Sequence, residues 1–270
     1  MSEKTTRILI LTSYALFTLL PIYWIANLSV QQQVSFPPSY IPSDLSIASY
    51  VDLLTTSNIV TSILNSLMVA TLSASVSVVV CSMAGYVFSQ LQMPFKKFFF
   101  GAVLITLLLP PALNIIPMYS VFSELGWLNS RLAIVFIYQL SNMPLNTFLF
   151  TNYFDTVEEP IVEAAIVDGA GPVKRFYRIF LPLSKPALIA GFLFAFRFAW
   201  MEYLYGATFI KEPAKRLFPA ALKVAVRSTQ YNLDYGVMTA GGILLLVPTL
   251  LILIFGQKYL ETGLQLGGVD

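Results

Sequence analysis

Residues 163–182 read "EAAIVDGAGPVKRFYRIFLP", with two acids, three basic residues, two glycines and two prolines. The chain around this stretch is nearly all apolar. A charged, glycine-punctuated segment between two apolar ones marks a place where the chain leaves an apolar phase. Its reading therefore sets the reading of everything on either side.

Composition names that phase. Of 270 residues, 57% are hydrophobic and 11% charged, and the mean hydropathy is +0.74. Soluble domains carry about 25% charged and 45–50% apolar residues. A soluble fold of this length cannot hide so much apolar surface, so lipid must cover part of it. The net charge of +2 is too small to suggest nucleic acid. There is no histidine and one cysteine, Cys81. An internal disulfide is therefore excluded, and a metal site of the zinc type lacks its ligands. No phosphate loop of the form G-x-x-x-x-G-K-[ST] occurs, so ATP is not expected on this chain by that device.

A membrane-crossing helix needs about 20 mainly apolar residues. Six runs qualify, at about 8–28, 59–88, 98–116, 132–150, 186–208 and 236–256. They are long and continuous rather than ten-residue alternations, which predicts helices and not a barrel. The first run lacks a small-residue cleavage site and reads as a retained helix. The expected fold is all-α integral membrane, one unit over residues 1–270, with a helix-turn-helix loop at 151–185 between spans four and five. Basic residues orient it. Lys4 and Arg7 precede span one, and Lys96 and Lys97 lie between spans two and three. Lys174, Arg175, Arg178 and Lys185 lie between spans four and five, and Lys258 follows span six. The excess of positive charge on cytoplasmic loops places these segments and both termini in the cytoplasm of a cell-membrane protein. Lys211, Lys215, Arg216, Lys223 and Arg227 fall in the last outer loop and run against the rule.

Several spans carry local signals. Ser66, Ala70, Ala74 and Ser82 of span two recur at multiples of four, as do Ser73, Ser77, Cys81 and Gly85. Two adjoining stripes of small residues let neighbouring helices approach closely. Span three holds Pro110, Pro111 and Pro117 around Asn114. Proline removes backbone donors and kinks helices, so the span either breaks there or ends there. The outer loop at 29–58 has Pro37, Pro38 and Pro42, and Tyr23, Trp24, Phe36 and Tyr40 fit an interfacial aromatic belt. It reads as a docking surface or a solvated loop.

In the polar stretch, Asp155, Glu158 and Glu159 precede Pro160, as a helix N-terminus favours. A short helix at about 160–168 follows. Ala164 and Ala165 give it a side with little bulk, and Gly169 stops it by accepting the left-handed conformation. Gly171-Pro172 starts a second, amphipathic helix to about residue 180, which Pro182 ends. A small-residue side suits insertion into a groove on another protein, whereas a basic amphipathic hairpin also suits the inner leaflet. Residue chemistry leaves both open.

The stretch resembles the signature loop of bacterial and archaeal ABC-importer permeases: E-A-A, three residues, G, nine residues, I, one residue, L-P. Glu163, Ala164 and Ala165 are followed by Gly169 at the required interval, then by Ile179, Leu181 and Pro182. Every fixed position and both spacings match. "ILNSLMVATLSASVSVVVCSMAGYVFSQLQMPFKK" and "FRFAWMEYLYGATF" look like the carbohydrate-uptake branch, the maltose-type inner permease. In the second segment Trp200 and Glu202 match that branch's pattern, Tyr203 is a conservative change, and Met201 replaces its asparagine. The tail "GLQLGGVD" resembles the branch's ending loosely.

The resemblance implies a permease subunit of an ATP-driven, binding-protein-dependent importer, for a sugar or oligosaccharide or, as the alternative, glycerol phosphate or a polyol. It implies a second homologous permease, two ATPase subunits that carry ATP and Mg, and an extracytoplasmic solute-binding protein. No cofactor, catalytic residue or enzyme activity is implied for this chain. Glu163, Ala164, Ala165, Asp168, Gly169, Ile179, Leu181 and Pro182 would couple to an ATPase. In span five, Arg197 and Glu202 are ionisable residues at membrane depth, which often mark solute paths. Glu202 reads as a path residue or a structural hydrogen-bond partner. Arg197 reads as a path residue or the partner of a neighbouring subunit. Trp200, Tyr203 and Tyr205 could stack sugar rings or pack the interface, and Asn114 is a further path candidate. A stand-alone secondary transporter would more often show internal repeats or intramembrane acid pairs, and neither is visible.

Overall fold

The computed structural model describes residues 3–31, 40–42, 44–226 and 234–265. Phe36, Pro37, Pro38, Arg227 and the end of the tail, 266–270, lie outside them. The described residues form helices α1 (Glu3–Ser29), α2 (Ala48–Thr55), α3 (Ile59–Gln90), α4 (Lys96–Ile105), α5 (Pro111–Glu124) and α6 (Arg131–Asp155). There follow α7 (Glu159–Val167), α8 (Pro172–Leu183), α9 (Lys185–Met201), α10 (Leu204–Phe209), α11 (Phe218–Ala225) and α12 (Tyr235–Gln265). They contain no strand.

Among the described residues, four helices are long and apolar enough to cross a membrane: Lys4–Ser29, Ile59–Gln90, Arg131–Asp155 and Tyr235–Gln257. Two bent pairs, Lys96–Leu108 with Ala112–Glu124 at 105° and Pro172–Leu183 with Lys185–Met201 at 80°, raise the number to six if each is one span. Spans three and five thus depart from expectation. The third run does not form one straight helix over 98–116. Pro110 is extended and α5 begins anew at Pro111, so the helix is interrupted at the prolines, where the span either breaks or ends. The fifth run, expected at 186–208, is cut at Glu202, where the backbone turns extended before α10.

α3 is the hub, packing against α6, α9 and α11. All eight small residues of its two stripes are buried. The helices approach closely at Gly85, where a Cβ would stand 2.7 Å from the Cβ of Phe150 on α6. Polar side chains tie the helices where water cannot. Asn146 Nδ2 donates to Ser77 Oγ at 2.7 Å, and the Phe218 backbone N–H donates to Ser66 Oγ at 2.7 Å. Two apolar clusters fill the bundle. One, around Ile134, Tyr138, Trp200 and Phe218, lies toward the α6 start. The other, around Cys81, Phe150, Phe154 and Phe180, lies toward its end.

Candidate functional site

The polar stretch folds as α7, a turn and α8. Glu159 and Pro160 open α7. Gly169 closes it at φ +72°, with its N–H on the Ile166 carbonyl (2.9 Å) and the Ala170 N–H on that of Ala165 (2.9 Å). These two bonds satisfy carbonyls that the helix end would leave bare. No atom would crowd a Cβ at Gly169. The demand for glycine there is conformational, since a left-handed L-residue costs roughly 1–2 kcal/mol.

Two expectations for the hairpin need correction. Ala164 and Ala165 do not form one bare side: Ala165 is buried against the chain, while Ala164 is exposed. On an α-helix adjacent residues point about 100° apart, and here that turn takes Ala165 inward and leaves Ala164 outside. Nor does Pro182 end the second helix. α8 passes through a π turn at Phe176–Phe180 and runs on to Leu183, so Pro182 sits in its last turn. Ser184 then marks the bend into α9.

The inner side of the hairpin is bolted to the bundle by aromatic rings. Tyr86, at the end of α3, meets Phe176 (5.2 Å) and Phe180 (4.9 Å), and Phe180 meets Phe154 of α6 at 5.6 Å. The Tyr86 hydroxyl also donates to the Pro172 carbonyl at 3.0 Å. The other side is open. Glu163, Asp168 and Pro182 are exposed, Ile179 and Leu181 are half-buried, and Ile166, Val167, Val173 and Tyr177 present apolar surface, Val167 at 86% exposure. Sequence reasoning missed both sets. Apolar residues next to Gly169, in a segment otherwise polar, were the available signal for the open face. The ring anchors carry no such signal, because they come from three separate helices.

At the break in span five, the Glu202 carboxylate is fully engaged. Oε1 accepts from the Tyr205 N–H (2.8 Å), and Oε2 from the Gly206 N–H (3.2 Å) and the Tyr138 hydroxyl (2.8 Å). It caps α10 and ties the break to α6. Of its two readings, the structural hydrogen bond is the one observed. Trp200 offers no ring to a solute. It is 2% exposed, stacks on Phe196 and donates its indole N–H to the Leu245 carbonyl at 2.9 Å. Tyr203 is half-buried, and Lys223 donates to its hydroxyl at 2.6 Å. Arg197 is exposed on α9, and no acid pairs with it among the described residues. A cavity of about 850 Å³ lies between α4, α5 and α6. Asn114, Thr106, Ser141 and Tyr205 supply its polar lining, among aromatic and aliphatic walls. Of the six residues first suspected of forming a path, Asn114 and Tyr205 line this cavity.

Residues 77–265 match the family described as binding-protein-dependent transport system inner membrane component. The chain belongs to this family. The matched residues include the hairpin and the broken fifth span. The permease is 30% identical to a probable ABC transporter permease of Pyrococcus horikoshii over 200 residues, covering 74% of this chain and 72% of that one. It is 24% identical to the trehalose transport system permease SugB of Mycobacterium tuberculosis, covering 94% and 93%. In three dimensions it matches a chain of a bacterial ABC transporter involved in import of the acidic polysaccharide alginate. That match has a TM-score of 0.80 at 21% identity and covers 95% of each chain, which shows the fold.

Proposed function

We propose that this permease forms half of the translocation path of a sugar or oligosaccharide importer and that its hairpin is the lever between path and ATPase. Similar permeases named for trehalose, for melibiose, raffinose and stachyose, and for diacetylchitobiose support a sugar as the solute. The observation that carries the coupling is the two-sided hairpin, held by rings on one side and bare at Ile166, Val167, Val173 and Tyr177 on the other. A lever must be stiff where it meets the load and exposed where it is pushed. Glu163, Ala164, Asp168 and Gly169 shape the end that would enter a groove on an ATPase. Ala165, Ile179, Leu181 and Pro182 shape the end that would pass motion to α9.

In this reading the chain crosses the membrane six times as a single unit with both termini and the hairpin in the cytoplasm. A second permease completes the path, and two ATPase subunits beneath hold ATP and Mg. Closure of the ATPase pair rocks the permeases outward, a solute-binding protein delivers sugar from outside, and hydrolysis resets the state. The 850 Å³ cavity, with Asn114, Ser141 and Tyr205, is this chain's own contribution to the path. The test is purification of the tagged permease from its native membrane. An ATPase and a second permease should co-elute, and after reconstitution the sugar-loaded binding protein should stimulate ATP hydrolysis. A permease that elutes alone and transports solute without ATP would overturn the proposal.

A further inference from the structure

The basic residues after span five oppose the charge rule that orients the rest of the chain. The structure places one of them on a second cavity, of about 550 Å³, beside the start of α6. Arg131 and Lys215 form its rim, and Met68, Leu72, Leu132 and Val135 line it below. Arg131 is half-buried and donates from Nη1 to Asn65 Oδ1. Asn65 in turn donates to the carbonyls of Ala214 (3.0 Å) and Arg216 (3.1 Å), which holds the backbone on either side of Lys215 at the same cavity. Among the described residues the one ion pair is Lys215 with Glu212, at 2.7 Å. The Arg131 charge therefore meets a neutral amide and no carboxylate there.

Depth decides what could compensate it. α3 has 32 residues, about 48 Å at 1.5 Å per residue, against a hydrocarbon core of about 30 Å. Centring α3 on that core puts Asn65, and Arg131 bonded to it, at the headgroup boundary. Met68 and Leu72 then lie about 5 and 10 Å deeper. Met68 and Leu72 are 42% and 41% exposed, and Leu132 is 73% exposed, so the groove opens sideways at that depth. A protein docking from water would reach the rim but not the walls. A neutral lipid would leave the guanidinium without a counter-charge.

We infer that this groove binds an anionic phospholipid. Its phosphate sits on Arg131 with Lys215 beside it, and an acyl chain runs along Met68, Leu72 and Leu132. That the leaflet is the outer one rests on the proposed orientation; the binding itself does not. The assembled importer, reconstituted with equal phosphatidylglycerol and phosphatidylcholine and then re-extracted, is weighed by native mass spectrometry. The parent and a Lys97→Gln control should retain phosphatidylglycerol in preference to phosphatidylcholine. Arg131→Gln, which keeps an amide for Asn65, and Met68→Trp, which fills the groove, should each lower that retention about ten-fold, the scale of one charge-assisted hydrogen bond. Equal retention by parent and both variants, or no preference for the anionic lipid, overturns the site. So does a photoreactive residue at Leu132 that cross-links to the second permease instead of lipid. Labelling of Lys215→Cys by an impermeant thiol reagent reads the orientation separately. Label entering from inside only would move the lipid to the inner leaflet and sink the proposed topology while leaving the site in place.

Discussion

The hairpin and the break in the fifth span are both polar interruptions of an apolar chain, and they treat charge in opposite ways. Glu163, Asp168, Lys174 and Arg178 on the hairpin are exposed, and none has an ion-pair partner among the described residues. At the break, both Glu202 oxygens are used, three donors converging on one carboxylate. Water compensates a bare charge at the hairpin for nothing, whereas at membrane depth an unpaired polar group costs several kcal/mol. The hairpin surface is consequently free for a partner. At the break the same kind of charge is tied to the architecture, Glu202 holding two backbone N–H groups of α10 and the Tyr138 hydroxyl.

Substitutions in the two regions should fail in different ways. The largest effect is expected from Gly169→Leu, which cannot hold φ +72° without strain. Uptake should be abolished while the amount of inserted permease stays near that of the parent. Normal uptake would remove the hairpin from coupling. Glu202→Ala should cost about 3 kcal/mol, from a lost cap and a stranded Tyr138 hydroxyl. It should lower the Tm of the assembled complex with solute affinity unchanged. The reverse pattern, intact Tm with lost affinity, would return Glu202 to the path. Gly85→Ala forces a methyl against Phe150 where α3 and α6 touch, and overpacking of this kind costs about 1–3 kcal/mol, to be read by the same melting measurement. Tyr86→Phe is the mildest. It deletes the bond to the Pro172 carbonyl, worth about 1 kcal/mol, and keeps the rings that hold the hairpin, so uptake should fall by less than half.

Local chemistry was readable from sequence wherever one residue decides it. Gly169 ends α7 because of its own backbone freedom, Pro110 turns extended because a proline follows it and α5 starts at that next proline, and the small stripes of span two are buried because only small residues permit that approach. Features built from distant residues were not readable. Glu202 bonds Tyr138, 64 positions away, and Tyr86 bonds Pro172, 86 positions away. Neither pairing leaves a periodic trace. The continued run of α8 past Pro182 is a milder case. A proline in a last turn loses its own N–H and crowds the carbonyl four residues back, here Arg178, which lies within the π turn.

The coupling claim is tested most directly at Val167, the most exposed apolar residue of the hairpin. A photoreactive amino acid placed there in the assembled, transport-active importer should cross-link to an ATPase subunit, and the adduct should disappear when the ATPase is stripped away. A cross-link to lipid, or the same yield with and without the ATPase, would place the hairpin on the inner leaflet and contradict its role as the lever.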